Sequence, residues 1–204
     1  MESSNLLPSL QEILGRLHKS SAHLPLSSQG SHVSPINVTK NSRLDDLWRF
    51  YERNKQGMYA YALSITRCES LAEDCIHDAI MSVASNDRKV WNLKPYVFRA
   101  VRNEALRRVR VRKREQESDS ELLVSDESNP YMAFLETEEA LLLAHCLDSL
   151  DPQKREIIVL KIYGELKFRE IAKTLNRPLP TVASQYRRGL IQLAEILEEY
   201  GYEA

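Results

Sequence analysis

Residues 98–114, FRAVRNEALRRVRVRKR, carry eight basic side chains and a single acid, Glu104. Charge of one sign repels itself, so such a run is suited to neutralising an anion such as a phosphate backbone. Wound as an α-helix it sorts into two faces. Val97, Phe98, Val101, Ala105 and Val109 share one arc, fit for packing. Arg99, Arg102, Arg107, Arg110, Lys113 and Arg114 share another, with Asn103 among them, while Arg108 and Arg112 spoil the separation. An ordinary solvated helix would mix its signs, with Glu placed four residues before Lys or Arg. Glu104 and Arg108 are the one such pair here. Trp91 and Tyr96 lie just before the run, and aromatics beside basic groups suit stacking on unpaired bases. The pattern predicts nucleic-acid binding.

A second candidate lies near the C-terminus, where KFREIAKTL and TVASQYRRGLIQLAEILEEY are separated by NRPLP. Asn176 can take the left-handed conformation that ends a helix, and two short helices joined by a short turn form a helix-turn-helix. In its last helix Val182, Tyr186, Leu190, Leu193 and Leu197 share one face. Ser184, Arg188 and Gln192 project opposite, flanked by Gln185 and Arg187. The second helix of such a unit enters the major groove, where Arg suits guanine and Gln suits adenine.

The elements that position these residues are helical. Six glycines in 204 residues favour helices over a many-stranded sheet. Leu44, Leu47, Trp48, Tyr51, Met58, Ala62 and Ile65 recur at helical steps. Leu71, Cys75, Ala79 and Val83 follow in a second helix, for which Ser70 and Glu73 form a capping-box pattern. Pro95 suits the first turn of a third, over about 95–113. Asp151–Pro152 opens a further helix. Residues 115–140 hold nine acids and no Lys or Arg, although the net charge of the whole chain is −1. The expected architecture is all-α: a serine-rich, mostly disordered extension over 1–40, a helical domain over 41–114, an acidic linker over 115–135 and a second helical domain over 136–204. Within the extension, residues 6–17 could form a short amphipathic helix.

Several function classes find no support in the sequence. There is no phosphate-binding glycine loop, no metal cluster and no nucleophile with a base. Cys68, Cys75 and Cys146 read as small buried apolar residues. No apolar run reaches membrane-spanning length, and the N-terminus lacks a secretory pattern. A cytoplasmic protein without catalytic residues, cofactor, metal or small-molecule substrate is expected.

These segments together resemble the bacterial RNA polymerase sigma factors of the extracytoplasmic-function (ECF) type, which have only regions 2 and 4. LAEDCIHDAI (71–80) and KPYVFRAVRNEALRRVR (94–110) are similar to region 2. Residues 147–190 are similar to region 4 nearly throughout. The resemblance implies a three- to four-helix region 2 domain and a helix-turn-helix region 4 domain. It implies that Glu73, Asp74 and Asp78 face the β′ clamp helices of core RNA polymerase, with the β flap as a further contact. It places Asn103 as a base reader at the promoter −10 element, with Trp91, Arg99, Arg102, Arg107 and Arg110 around it and residues 86–93 as the loop that captures a flipped base. Thr181, Ser184, Gln185, Arg187 and Arg188 fall on the helix that reads the −35 element. The acidic linker would thread toward the RNA exit channel, and an anti-sigma factor is a further implied partner. Ala84, His77 and Ile80 depart from the family pattern in region 2. Ala183 and Gln185 depart from it in region 4, which predicts an unusual −35 preference or weaker phosphate anchoring there. Lys167 replaces the usual Ser or Thr cap, which predicts a fraying start to its helix. Two other readings compete. One is a helix-turn-helix regulator that does not recruit polymerase, and the other is a degenerate sigma-like protein that titrates an anti-sigma factor.

Overall fold

The computed structural model describes residues 42–86, 90–118, 142 and 145–200. The extension over 1–40, including the helix expected at 6–17, lies outside them, as does the linker beyond Ser118. The described residues form six principal helices and no strand: α1 (Ser42–Thr66), α2 (Glu69–Ser85), α3 (Leu93–Ser118), α4 (Pro152–Ile162), α5 (Phe168–Leu175) and α6 (Leu179–Glu199).

Local chemistry accounts for most of the helix boundaries. α1 stops where Arg67 turns left-handed at φ 54°. Its N–H still bonds to the Leu63 carbonyl at 3.0 Å, which satisfies one of the last-turn acceptors. α2 then begins earlier than its sequence suggests. Cys68, not Ser70, holds the extended cap position, and no side chain caps the helix. Thr66 Oγ1 donates to the Cys68 carbonyl at 3.0 Å and fixes this tight turn, so Ser70 falls inside the first turn. α3 runs from Leu93 to Ser118, past the expected end near residue 113. Glu115, Gln116 and Glu117 are good helix formers, so the start of the acidic segment extends the helix.

In the second half, Asp151 caps α4 by accepting from the N–H groups of Gln153 and Lys154, with Pro152 in the first turn. α5 does not fray at Lys167, because Glu170 reaches back to the Lys167 N–H at 2.8 Å. Asn176 ends α5 in the left-handed conformation at φ 53°, as expected.

α1, α2 and α3 pack as a three-helix bundle around Met58, Tyr61, Leu63, Cys75, Ala79 and Phe98. α4 and α6 close a second cluster around Cys146, Leu147, Leu150, Ile158, Leu190 and Leu193. The two bundles also meet directly, α3 against α5 and α1 against α4. Ile157, Leu160, Leu166, Ile171 and Leu175 of the second join the apolar core of the first. Gly57 makes this approach possible, since a Cβ there would overlap the Tyr163 carbonyl oxygen. Cys75 and Cys146 are buried as expected, and burial pushes the Cys75 thiol up to about 11. Cys68 is instead half-buried at the α2 cap.

Candidate nucleic-acid interface

α3 presents its two faces in the expected phase. Val97, Phe98, Val101 and Ala105 are fully buried, and Val109 is half-buried. Arg99, Asn103, Arg107, Arg110, Lys113 and Arg114 are exposed along the opposite side. Trp91 is 91% exposed and offers an aromatic surface just ahead of the basic face. Tyr96 is drawn inward, its hydroxyl accepting from Asn86 Nδ2 at 2.9 Å.

Arg108, out of phase with the basic face, has a structural task. Its guanidinium lies 3.1 Å from Asp74 and 2.5 Å from Asp78, and its Nε is 3.2 Å from Glu104. This ties α3 to α2. Glu104 also pairs with Arg107, and the hydrogen bond and charge of Arg107, followed by those of Arg108, hold its carboxyl below the usual range against the opposing effect of burial. Glu73 is half-buried while Asp74 is exposed and Asp78 half-buried, so the three acids form a patch along α2. The patch abuts the basic helix, with Arg108 as the hinge between opposite charges.

The helix-turn-helix carries its readers differently. Val182, Gly189, Leu190, Leu193 and Leu197 are buried, while Thr181, Ser184, Arg187 and Arg188 are exposed and Gln185 is half-buried. Ser184 Oγ donates to the Thr181 carbonyl at 3.0 Å. Gln192, which shares the outward side in sequence, is instead engaged by Lys154 Nζ at 2.8 Å. Phe168 and Tyr186 meet edge-on with centroids 5.2 Å apart and set α5 against α6. Gly189 lets α6 approach α4, where a Cβ would lie 2.9 Å from Ile158 Cδ1.

Arg102 departs most from the sequence reading. It is half-buried and donates from Nε to Glu156 Oε1 at 2.7 Å and from Nη2 to Glu156 Oε2 at 3.4 Å. The Tyr61 hydroxyl donates to the same Oε1 at 2.8 Å. Tyr61 is fully buried, and burial, reinforced by Glu156, raises its phenol well above the ordinary value. Neither Tyr61 nor Glu156 stands out in the sequence. Their bond joins residues 95 apart in the chain, and no local pattern marks it. Among the described residues no group of three or more His, Cys, Asp or Glu side chains could hold a metal ion, and no helix is long and apolar enough to cross a membrane.

Family models match both halves of the chain. Residues 50–115 match the sigma-70 region 2 family, and residues 140–193 match the sigma-70 region 4 family. The chain belongs to the ECF sigma factors. It is 29% identical over 155 residues to the ECF RNA polymerase sigma factor SigE of Mycolicibacterium smegmatis, across 72% of this chain and 59% of that relative's length. It is 26% identical over 156 residues to the ECF RNA polymerase sigma factor SigK of Mycolicibacterium vanbaalenii, across 72% of this chain and 80% of that one. Among solved structures, its fold is similar to the sigma factor RpoE from Bartonella quintana, crystallised with the anti-sigma factor NepR. The TM-score is 0.61 at 24% identity, over 76% of this chain and 98% of that one. In this sigma factor α1–α3 therefore fall within region 2 apart from the ends of α1 and α3, and α4, α5 and most of α6 fall within region 4.

Proposed function

We propose that this sigma factor binds core RNA polymerase, directs it to promoters by recognising −10 and −35 elements, and aids opening of the duplex, without catalytic chemistry of its own. The observation that carries the reading is the exposed Asn103 set among arginines on α3, in a chain that also presents the exposed face of α6. Phosphate contacts from Arg99, Arg107 and Arg110 would hold a strand in place without reading it, and Asn103 would supply the base-edge contact. Trp91 would stack on an unpaired base. Thr181, Ser184, Gln185, Arg187 and Arg188 would read duplex DNA at the −35 element, as the second helix of a helix-turn-helix does. Glu73, Asp74 and Asp78 would contact the β′ clamp helices, and region 4 the β flap. The domain division at residues 41–114 and 136–204, with an acidic linker between, belongs to the same proposal. So do action in the cytoplasm and an anti-sigma factor as a further partner.

The test is reconstitution with core RNA polymerase on a library of promoters. Specific transcription that depends on the chain is the expected result. A chain that fails to bind core polymerase yet still binds duplex DNA would instead be a regulator that does not recruit polymerase.

A further inference from the structure

Arg108 belongs to neither face of α3, and the bonds of its guanidinium run to three acids. Nη1 donates to Asp74 Oδ2 at 3.1 Å, Nη2 to Asp78 Oδ2 at 2.5 Å and Nε to Glu104 Oε1 at 3.2 Å. Glu104 is in turn held by Arg107 on the same helix. The guanidinium is thus braced from within α3 and directs its two outer nitrogens to α2. Asp74 and Asp78 lie one helical turn apart, a spacing at which like charges repel. Arg108 reaches both and offsets that repulsion. Depth decides which group an approaching partner meets. The Arg108 side chain is 22% exposed, against 60% for Asp74 and 44% for Asp78. The cation lies deeper than the two carboxylates and engages one oxygen of each. A carboxylate has about four acceptor sites, so each keeps capacity for a second partner.

We propose that Arg108, although it stands on the candidate DNA helix, is a positioning residue for the polymerase contact. It holds the Asp74 and Asp78 carboxylates side by side, already ordered for a basic partner surface. The proposal rests on the reading that these acids face core RNA polymerase. Two effects of Arg108 oppose each other. Its charge repels a basic partner, but that charge is already met by three carboxylates and is screened by salt. Without it, a partner would have to order both aspartate side chains as it binds, at a cost for each. Ordering outweighs repulsion, so loss of Arg108 weakens the contact even though it makes the patch more negative.

Equilibrium binding of the full-length chain to core RNA polymerase, without DNA, tests this at a temperature where thermal denaturation shows each variant folded. Asp74→Asn combined with Asp78→Asn should weaken binding by about tenfold or more. Arg108→Gln should weaken it by about fivefold. Arg108→Lys keeps the charge but not the fork of nitrogens, and should weaken it as well. Added to the two aspartate substitutions, Arg108→Gln should cost nothing further. Unchanged or tighter binding in both Arg108 variants, with the aspartate variant weakened, would overturn the positioning role and leave the polymerase reading standing. A loss from Arg108→Gln that persists without the aspartates would also overturn it, because Arg108 would then act elsewhere. If the aspartate variant binds core polymerase as the wild type does, the polymerase reading of these acids falls and the positioning role with it.

Discussion

The two candidate reading helices of this sigma factor share a design and differ in what surrounds them. α3 and α6 each bury one apolar arc and turn polar side chains outward. On α6 those side chains face solvent, apart from the half-buried Gln185 and Gln192, the latter bonded to Lys154. On α3 the outer half is exposed, from Asn103 through Arg110 to Arg114, while Lys94, Arg99 and Arg102 nearer its start are bonded to region 4. Helical phase decides which side of each helix leaves its own core. Whether that side is open then depends on the neighbour, here Glu156 and the carbonyls of Glu165 and Thr174.

The sharpest way to break the comparison acts on the core shared by the two bundles. Phe98 is fully buried, its ring centroid 5.9 Å from that of Tyr61, and its edge lies beside Gly164 of the second bundle. Phe98→Ala should cost about 3–5 kcal/mol, the usual range for emptying an aromatic site. Because the core is shared, thermal denaturation should show both bundles destabilised together. A loss confined to α1–α3 would mean that the bundles fold independently.

A smaller effect sharpens the contrast from the other side. Arg188→Ala should leave the melting temperature nearly unchanged, because the side chain is exposed. Duplex promoter affinity should fall by about 1–3 kcal/mol if Arg188 meets a base edge. Alternatively, the salt slope of binding should fall by about one if it meets a phosphate. A filter-binding series across salt concentrations distinguishes these roles, and no change in either quantity would remove Arg188 from the interface.

The smallest effect concerns the link between α2 and α3. The carboxyl of Glu104 is held below its ordinary value, chiefly by the hydrogen bond from Arg107. Its stabilisation is therefore complete above the unfolded carboxyl value and is lost as pH falls through the lower folded value. Denaturant titrations of wild type and Glu104→Gln should differ at neutral pH and converge on acidification. A constant difference across that range would contradict the ionic role.

Much of this arrangement was legible in the sequence. The phase of α3, the Asp151–Pro152 start and the left-handed Asn176 are local, and each rests on a period or a residue with one conformational habit. The start of α2 departs from its sequence pattern because the Arg67 turn outweighs the Ser70 capping signal. The end of α3 lies beyond the basic run because an acidic run reads as linker although Glu favours helix. Arg108 looked like an interruption of the basic face, and only its placement opposite Asp74 and Asp78 gives it a purpose. The contact between the bundles left no trace, since the Arg102–Glu156 pair joins residues 54 apart and Tyr61 looks like any core tyrosine.

Start-site mapping on promoter libraries, with the upstream and downstream elements randomised separately, tests the division of labour most directly. With polymerase carrying Asn103→Ala, base preference should change only in the downstream element. With Arg188→Ala it should change only in the upstream one. If either substitution altered both elements, or neither, α3 and α6 would not be the separate readers described here.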